Sequence, residues 1–415
     1  MERFKAIQSA EDFLEYLEAP QKEAVTKYLH VNTPETSGNI PVYISEFWTA
    51  RQRQAHSLHE ISYRACFKPQ LPSFFINRLT KPGQVVLDPF SGRGTTAIEA
   101  ALLGRIPIAN DINPLARILS EPRLSPPLLT ELRKRLHQIP VNTELDADID
   151  LSMFYHPQTL SELLSLRNYL NQRRENHAED YLDRWIRMVA TNRLSGHSPG
   201  FFSVYTLPPN QAVTPARQIA INQARNQTPQ YKPVKDLIFK KSVSLLRKLT
   251  QSERKSLMFA SKKAQFCNHP AEKMNSIATA SIDLVVTSPP FLDVVQYAND
   301  NWLRCWFNQL DVDKISQEIT ICRTLRDWSD FMRRVFRELF RIVRPGGWVA
   351  FEVGEIRNKE LKLEETVAPI GMEAGFKCVA ILINQQHFTK TANIWGVRNN
   401  TRGTNSNRIV VFSKT

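Results

Sequence analysis

Apolar and polar residues follow two periods along this 415-residue chain, and the switches between them mark its elements. Phe13, Leu14, Leu17, Ala24, Val25, Tyr28 and Leu29 recur at helical spacing and predict an N-terminal helix within residues 10–30. Residues 31–46, rich in Thr, Pro, Ser, Asn and Gly, read as a loop. Next, "PSFFINRLTKPGQVVLDPFSGRGTTAIEAALLGRIPIANDINPLA" lays out one strand–helix–strand unit. It predicts a helix over 73–79, a turn at Lys81-Pro82-Gly83 and a short buried strand over 84–87. After a glycine-containing loop, an Ala-rich helix over 96–103 is stopped by Gly104, and a second strand over 106–109 ends at Asp111. Such spacing implies parallel strands joined by a right-handed crossover.

A second apolar run, "DLVVTSPPF", reads as a buried strand halted by Pro289 and Pro290. "FMRRVFRELFRIVRPGGWVAFEVGEI" predicts an amphipathic helix, a Pro-Gly-Gly turn and another buried strand. The tail "NIWGVRNNTRGTNSNRIVVFSKT" predicts a polar loop and a last strand over 408–412, antiparallel to its neighbours. Between the second strand and the apparent third lies a long insert, residues 120–260. Its first part, 121–190, reads as helices of mixed charge and serves as scaffold. The acid-poor stretch "SGHSPGFFSVYTLPPNQAVTPARQIAINQARNQTPQYKP" reads as a segment that contacts nucleic acid, with an irregular loop packed on the core as the alternative. Trp302 and Trp306, four residues apart on a predicted helix, fit core positions.

Composition narrows the class. With 42% hydrophobic and 23% charged residues the chain is an ordinary globular one. No apolar run approaches a membrane span, and the first residues lack the apolar core of a signal peptide. The five cysteines are scattered without a C-x-x-C pair, which argues against a zinc site and fits a reducing cytoplasm. The net charge of +13 is concentrated: residues 191–280 hold 14 Lys/Arg and 3 Asp/Glu. A polyanion partner explains that excess, and so does a solvated basic face.

The glycine loop carries the candidate chemistry. Gly92 and Gly94 let backbone pass close to a ligand, and Asp111, 23 residues after Asp88, is placed to accept from a ribose diol. Taken alone, this pattern also describes a dinucleotide site. No Gly-Lys-Ser/Thr ends the loop, which speaks against a phosphate-cradling P-loop. Asp88 at the strand tip would repel a pyrophosphate and attract a cationic amino-acid moiety. S-adenosylmethionine, with an ammonium, a sulfonium, a ribose and no phosphate, fits both acids together.

"VLDPFSGRGTTAIEA" together with "TSPPF" resembles the DNA amino-methyltransferases, most of all the cytosine-N4 group. The resemblance covers roughly residues 60–120 and 262–355, and "SYRACFKPQLPSFFINRL" looks like the family segment that closes over the methionine end of the cofactor. It implies an α/β fold: a Rossmann-like S-adenosylmethionine-dependent methyltransferase sheet with an inserted, largely helical and loop-rich DNA-recognition region. Asp88, Phe90, Gly92, Gly94, Thr95 and Asp111 would bind S-adenosyl-L-methionine, with Asn268 standing where the family's adenine contact is expected. Ser288, Pro289, Pro290 and Phe291 would hold the target base: Ser288 Oγ and the Pro289 carbonyl accept from its amine, and Phe291 stacks on it. The base must leave the duplex for that.

A serine at the first tip position goes mostly with cytosine in that family, and Asp or Asn with adenine. Methylation at carbon 5 needs a cysteine nucleophile, usually in a Pro-Cys pair, and the chain has no Pro-Cys dipeptide. The expected function is therefore cytosine-N4 methylation of double-stranded DNA. Adenine-N6 methylation, an RNA base methyltransferase and an inactive DNA-binding protein are the alternatives. Asp293 and Asp300 are further candidates for polarising the target. Arg217, Arg225, Lys240, Lys241, Arg247 and Lys248 are the expected DNA contacts, the last four to the backbone. The resemblance allows a cognate restriction endonuclease acting on the same site as a second partner, and gives no membrane role. The expected organisation is an N-terminal helix and linker (1–46), the cofactor-binding half (47–120), an inserted recognition region (121–260) and the catalytic half (261–415).

Overall fold

The computed structural model describes residues 7–19, 25–34, 36–49, 55–64, 66–207, 212–290, 299–320, 322–356, 361–385 and 406–415. In chain order the strands are β1 (Val25–Asn32), β2 (Ser37–Ser45), β3 (Val85–Asp88), β4 (Ile106–Asn110), β5 (Gln265–Cys267), β6 (Ile282–Thr287), β7 (Val343–Val353), β8 (Glu355–Ile356), β9 (Leu361–Lys362), β10 (Lys377–Gln385) and β11 (Ser406–Ser413). Nine of them form one sheet in the order β1-β2-β10-β11-β7-β6-β3-β4-β5, and β8 pairs with β9. Strands β5, β4, β3, β6 and β7 run parallel, and β11 is inserted antiparallel between β7 and β10. From β3 the chain moves outward to β4 and β5, then returns to β6 on the other side. The β3/β6 pair is thus the topological switch point, where open α/β sheets bind ligands.

Period-2 alternation builds two cores. Leu87, Val285, Val349 and Phe351 face α13 (Leu325–Ile342) and α14 (Leu363–Glu373). Their neighbours Val86, Leu284, Val286 and Ala350 face Phe13 of α1 (Ala10–Glu18) and Phe74 and Phe75 of α2 (Gln70–Leu79). A sheet covered on both faces explains why these strands read as continuous apolar runs.

The N-terminal expectation fails in an instructive way. Helix α1 stops at Glu18, and residues 25–45 supply the antiparallel pair β1–β2, with β2 parallel to β10. Leu29 and Val31 turn inward while Tyr28 is exposed, which is strand alternation. Apolar residues at 24, 25, 28 and 29 mimic a helical stripe because a β-branched edge strand and a helix share those offsets.

The insert's helices share one core with Ile98 and Ala101 of α3 (Thr95–Leu102) and with Leu58 and Ile61. Helices α5 (Leu129–Gln138), α6 (Pro157–Glu175), α7 (Tyr181–Arg193), α9 (Val234–Leu246) and α10 (Gln251–Ser261) bury Leu132, Leu163, Trp185, Ile238 and Leu257 together. Trp185 Nε1 donates to Ser242 Oγ at 2.9 Å, joining α7 to α9. The stretch expected to contact nucleic acid contains α8 (Pro215–Ala224), and its Phe201 and Phe202 are buried, as the core-packed alternative has them. Trp306 of α11 (Trp302–Asn308) is buried and Trp302 half-buried, as core positions are. Among the described residues no helix is long and apolar enough to cross a membrane, and no cluster of three or more metal-ligating side chains occurs.

Candidate active site

Loops at the ends of β3, β4, β5 and β6 enclose an open pocket with about 920 Å³ of empty space, lined by Tyr63, Cys66, Phe90, Gly92, Asp111 and Ser288 among others. The structure therefore brings the glycine loop, the acid at the end of β4 and the Ser-Pro-Pro tip to one cavity.

Asp111 stands at the wall. Its Oδ2 accepts from Gly92 N–H at 2.8 Å and its Oδ1 from Asn113 N–H at 2.9 Å. Burial raises its carboxyl to about 6, against those two bonds. Each oxygen keeps a further lone pair for a hydroxyl in the pocket. Gly92 has φ of +50°, so glycine suits the turn, and a Cβ there would make ordinary contact with the Tyr63 ring at 3.6 Å. Phe90 packs edge-on against Phe331 of α13, giving the pocket an aromatic side. Thr95, at the start of α3 (Thr95–Leu102), also lines it.

Three expected ligand contacts, Asp88, Gly94 and Asn268, lie outside the pocket lining. Asp88 is 1% exposed beneath the loop, accepting from Thr287 Oγ1 at 2.6 Å and Phe90 N–H at 3.1 Å. Burial pushes its carboxyl up to about 7. Gly94 has φ of +77°, and a Cβ there would stand 2.4 Å from Ser120 Cβ, so its glycine serves loop packing rather than ligand approach. Asn268 is exposed, with Nδ2 donating to the Asp111 carbonyl at 2.9 Å. The residues after it, His269, Pro270, Ala271 and Glu272, line the pocket instead. Buried Asn110 fixes that turn: its side chain accepts from His269 N–H and donates to the His269 and Pro89 carbonyls.

The upstream segment is clamped to the glycine loop by arginines. Arg93 Nη1 donates to the carbonyls of His59 and Ile61, and buried Arg123 donates to those of Leu58, Leu119 and Arg93. Tyr63, Cys66 and Phe67 thereby reach the pocket. Burial raises the Cys66 thiol, which keeps it protonated and unsuited to nucleophilic attack.

At the tip, Trp328 Nε1 of α13 donates to the Pro290 carbonyl at 3.0 Å, and Ser288 shares a hydrogen bond with Glu352 of β7. Asn407 Nδ2 donates to Glu352 Oε1 at 2.7 Å, and burial raises the Glu352 carboxyl. Sequence reasoning missed Glu352. The available signal was a charge inside the apolar run "WVAFEVG". Phe291 and Asp293 lie outside the described residues. Asp300 is paired with Arg64 at 2.5 Å.

The expected DNA contacts differ in exposure and in partners. Arg217, Arg225 and Lys240 are exposed, with the Arg225 guanidinium 3.8 Å from the Tyr205 ring centroid. Arg247 holds both carboxylate oxygens of Glu60, Lys248 donates to the Ala55 carbonyl at 2.9 Å, and Lys241 turns inward.

Strand order and pocket position define an α/β protein with the ligand crevice of a Rossmann-like methyltransferase sheet. Residues 7–118 match the family described as DNA methylase, of the N6/N4 methyltransferase class. The Type II methyltransferase M.MjaII of Methanocaldococcus jannaschii is 33% identical over 86 residues, which are 21% of this chain and 16% of that relative. Together these two matches support the DNA amino-methyltransferase family. Among solved structures, a TehB-like SAM-dependent methyltransferase from Corynebacterium glutamicum is 8% identical with a TM-score of 0.30, over 85% of this chain and 90% of that one. The rRNA methyltransferase aviRa from Streptomyces viridochromogenes is 12% identical with a TM-score of 0.33, over 88% and 91%. At those scores the fold assignment rests on the strand order, not on the likeness.

Proposed function

We propose that this protein transfers a methyl group from S-adenosyl-L-methionine to the exocyclic amine of a base flipped out of duplex DNA, with cytosine N4 as the acceptor. The observation that carries the reading is that Ser288 opens into the cavity formed by Gly92 and Asp111. The donor set fits the cofactor. Asp111 offers oxygens to ribose hydroxyls, Phe90, Ile112 and Phe331 offer apolar walls, and Gly92 removes a Cβ from the approach. When bound, the cofactor supplies an electrophilic methyl on a sulfonium.

The chain's own residues do the rest. The Ser288 hydroxyl donates to the Glu352 carboxylate, which leaves its lone pairs facing the target amine. Accepting from that amine favours a geometry in which nitrogen can attack. The Pro289 carbonyl supplies a second acceptor. Trp328 holds the Pro290 carbonyl, so the tip is set before the base arrives and little ordering entropy is lost. Phe291 stacks on the base. Asp88, buried below, braces the glycine loop by accepting from the Phe90 amide and from Thr287.

Serine at the tip favours cytosine over adenine. The segment pattern that names a DNA methylase favours DNA over RNA. Nucleoside analysis by mass spectrometry of duplex DNA incubated with protein and cofactor tests the proposal. N4-methylcytosine is the expected product; N6-methyladenine would keep the mechanism and replace the base, and unmodified DNA would reject the reading.

A further inference from the structure

Among the described residues, a second cavity shares Tyr63 with the pocket and is lined by the cations Arg93, Arg193 and Lys241 against one carboxylate, Glu60. Glu60 is already committed, because Arg247 holds both of its oxygens. The Lys241 ammonium, on a side chain only 12% exposed, stands 3.8 Å from Glu60, beyond hydrogen-bond range. Arg193, at the end of α7, lies over the Phe201 ring and donates from Nη2 to Asn192 Oδ1. Its Nε is buried with no hydrogen-bond partner. Arg93 spends its donors on Thr95 and on carbonyls, which accept hydrogen bonds and leave the charge in place.

Confining like charges with so little acid is costly unless an anion joins them. The cost is visible in the side chains: burial first, then Arg193, brings the Lys241 ammonium down to about 8. Burial and then Arg304 bring Arg193 down to about 10.

We propose that this cavity is an oxyanion site for a phosphate group, with Lys241 and Arg193 as its principal donors. The lining comes from four parts of the chain: the segment before α2, the glycine loop, α7 and α9. A tetrahedral oxyanion can accept from such spread donors at once, where a planar carboxylate meets fewer. A guanidinium fork and an ammonium point charge are the pair suited to it. Taking that phosphate from a DNA strand seated at the neighbouring pocket rests on the methyltransferase reading. The oxyanion site itself does not.

The test compares the full-length protein with Arg193→Gln/Lys241→Gln, and with Lys241→Gln alone should the double variant fail to fold. Thermal unfolding is followed with inorganic phosphate against chloride at equal ionic strength. Duplex DNA affinity is followed across salt, with S-adenosylmethionine affinity alongside. Phosphate is expected to raise the Tm of the unaltered protein and not that of the variants. The slope of log K against log salt should shrink by roughly 0.9 for each lost contact, with cofactor affinity unchanged. Loss of phosphate protection in a protein that binds no duplex would support the oxyanion site, assign it a free phosphate and overturn the DNA reading alone. Equal response to phosphate in all proteins, with an unchanged salt slope, would overturn the site.

Discussion

Thr287 Oγ1 donates to Asp88 Oδ1 across 2.6 Å, and this buried bond ties the end of β6 to the end of β3. The glycine loop starts at Asp88, and the Ser-Pro-Pro tip starts one residue after Thr287. Thr96 Oγ1 adds a second tie, to the Val286 carbonyl at 3.0 Å. The two halves of the proposed site are therefore one unit at their roots, although 199 residues separate them in sequence.

That burial predicts a pH dependence. Asp88 is raised from 3.8 to about 7 and Asp111 from 3.8 to about 6, mainly by desolvation. An acid with a raised folded pKa stabilises the fold while protonated, so its contribution is complete below the unfolded value and is lost as pH rises through the folded one. Stability of the cofactor-free protein should fall between about pH 4 and about pH 7. Asp88→Asn should flatten part of that fall and leave the Asp111 part. Urea unfolding across the same range checks this; identical profiles for the two proteins would remove Asp88 as a source.

Asp111→Ala should weaken S-adenosylmethionine binding by roughly 1–3 kcal/mol, the worth of a hydrogen bond to a charged group. It also frees the Gly92 and Asn113 amides, so Asp111→Asn is the milder companion. DNA affinity should change much less. Equilibrium dialysis of folded variants decides, and unchanged cofactor affinity in both would take Asp111 out of the site.

Ser288→Ala should cost about 2–4 kcal/mol in transition-state stabilisation, because the acceptor for the amine is lost while the Pro-Pro turn stays. Glu352→Gln should lower the single-turnover rate less steeply, since the amide still meets Ser288 but with less pull on its hydroxyl. Phe291→Ala should weaken base capture by roughly 1–3 kcal/mol. Single-turnover methylation with cofactor binding measured separately resolves the three. A Ser288→Ala protein that works at the normal rate would refute the role given to this serine.

Gly94→Ala and Gly83→Ala offer a paired test of the loop. Both glycines have positive φ, so each alanine carries backbone strain of about 1–2 kcal/mol. At Gly83 a Cβ meets nothing within 4 Å, whereas at Gly94 it meets Ser120 Cβ at 2.4 Å. Overpacking should add roughly 1–3 kcal/mol at Gly94 alone. Thermal unfolding of the two variants reads the difference, and equal losses would mean that α4 (Leu115–Ser120) moves aside freely.

What the sequence determined by itself was local. The strand–helix–strand unit around Asp88, the amphipathic α13 and the prolines after β6 are written in neighbouring residues, and they form as their periods predict. The resemblance of the glycine loop and the Ser-Pro-Pro tip led to the same pocket. Tertiary structure decided whatever depends on partners distant in the chain. Residues 25–32 and 37–45 become strands because β10 offers β2 an edge, which no local pattern reveals. Asp88 goes under the pocket rather than into it because Thr287 is waiting there. Glu352 becomes a partner of Ser288 only when β7 lies beside β6. Lys241 and Arg193 read as members of a basic run, and the fold alone turns them into one cavity. Backbone periodicity is set by covalent neighbours, whereas burial, charge pairing and pocket shape depend on which surfaces the closed sheet brings together.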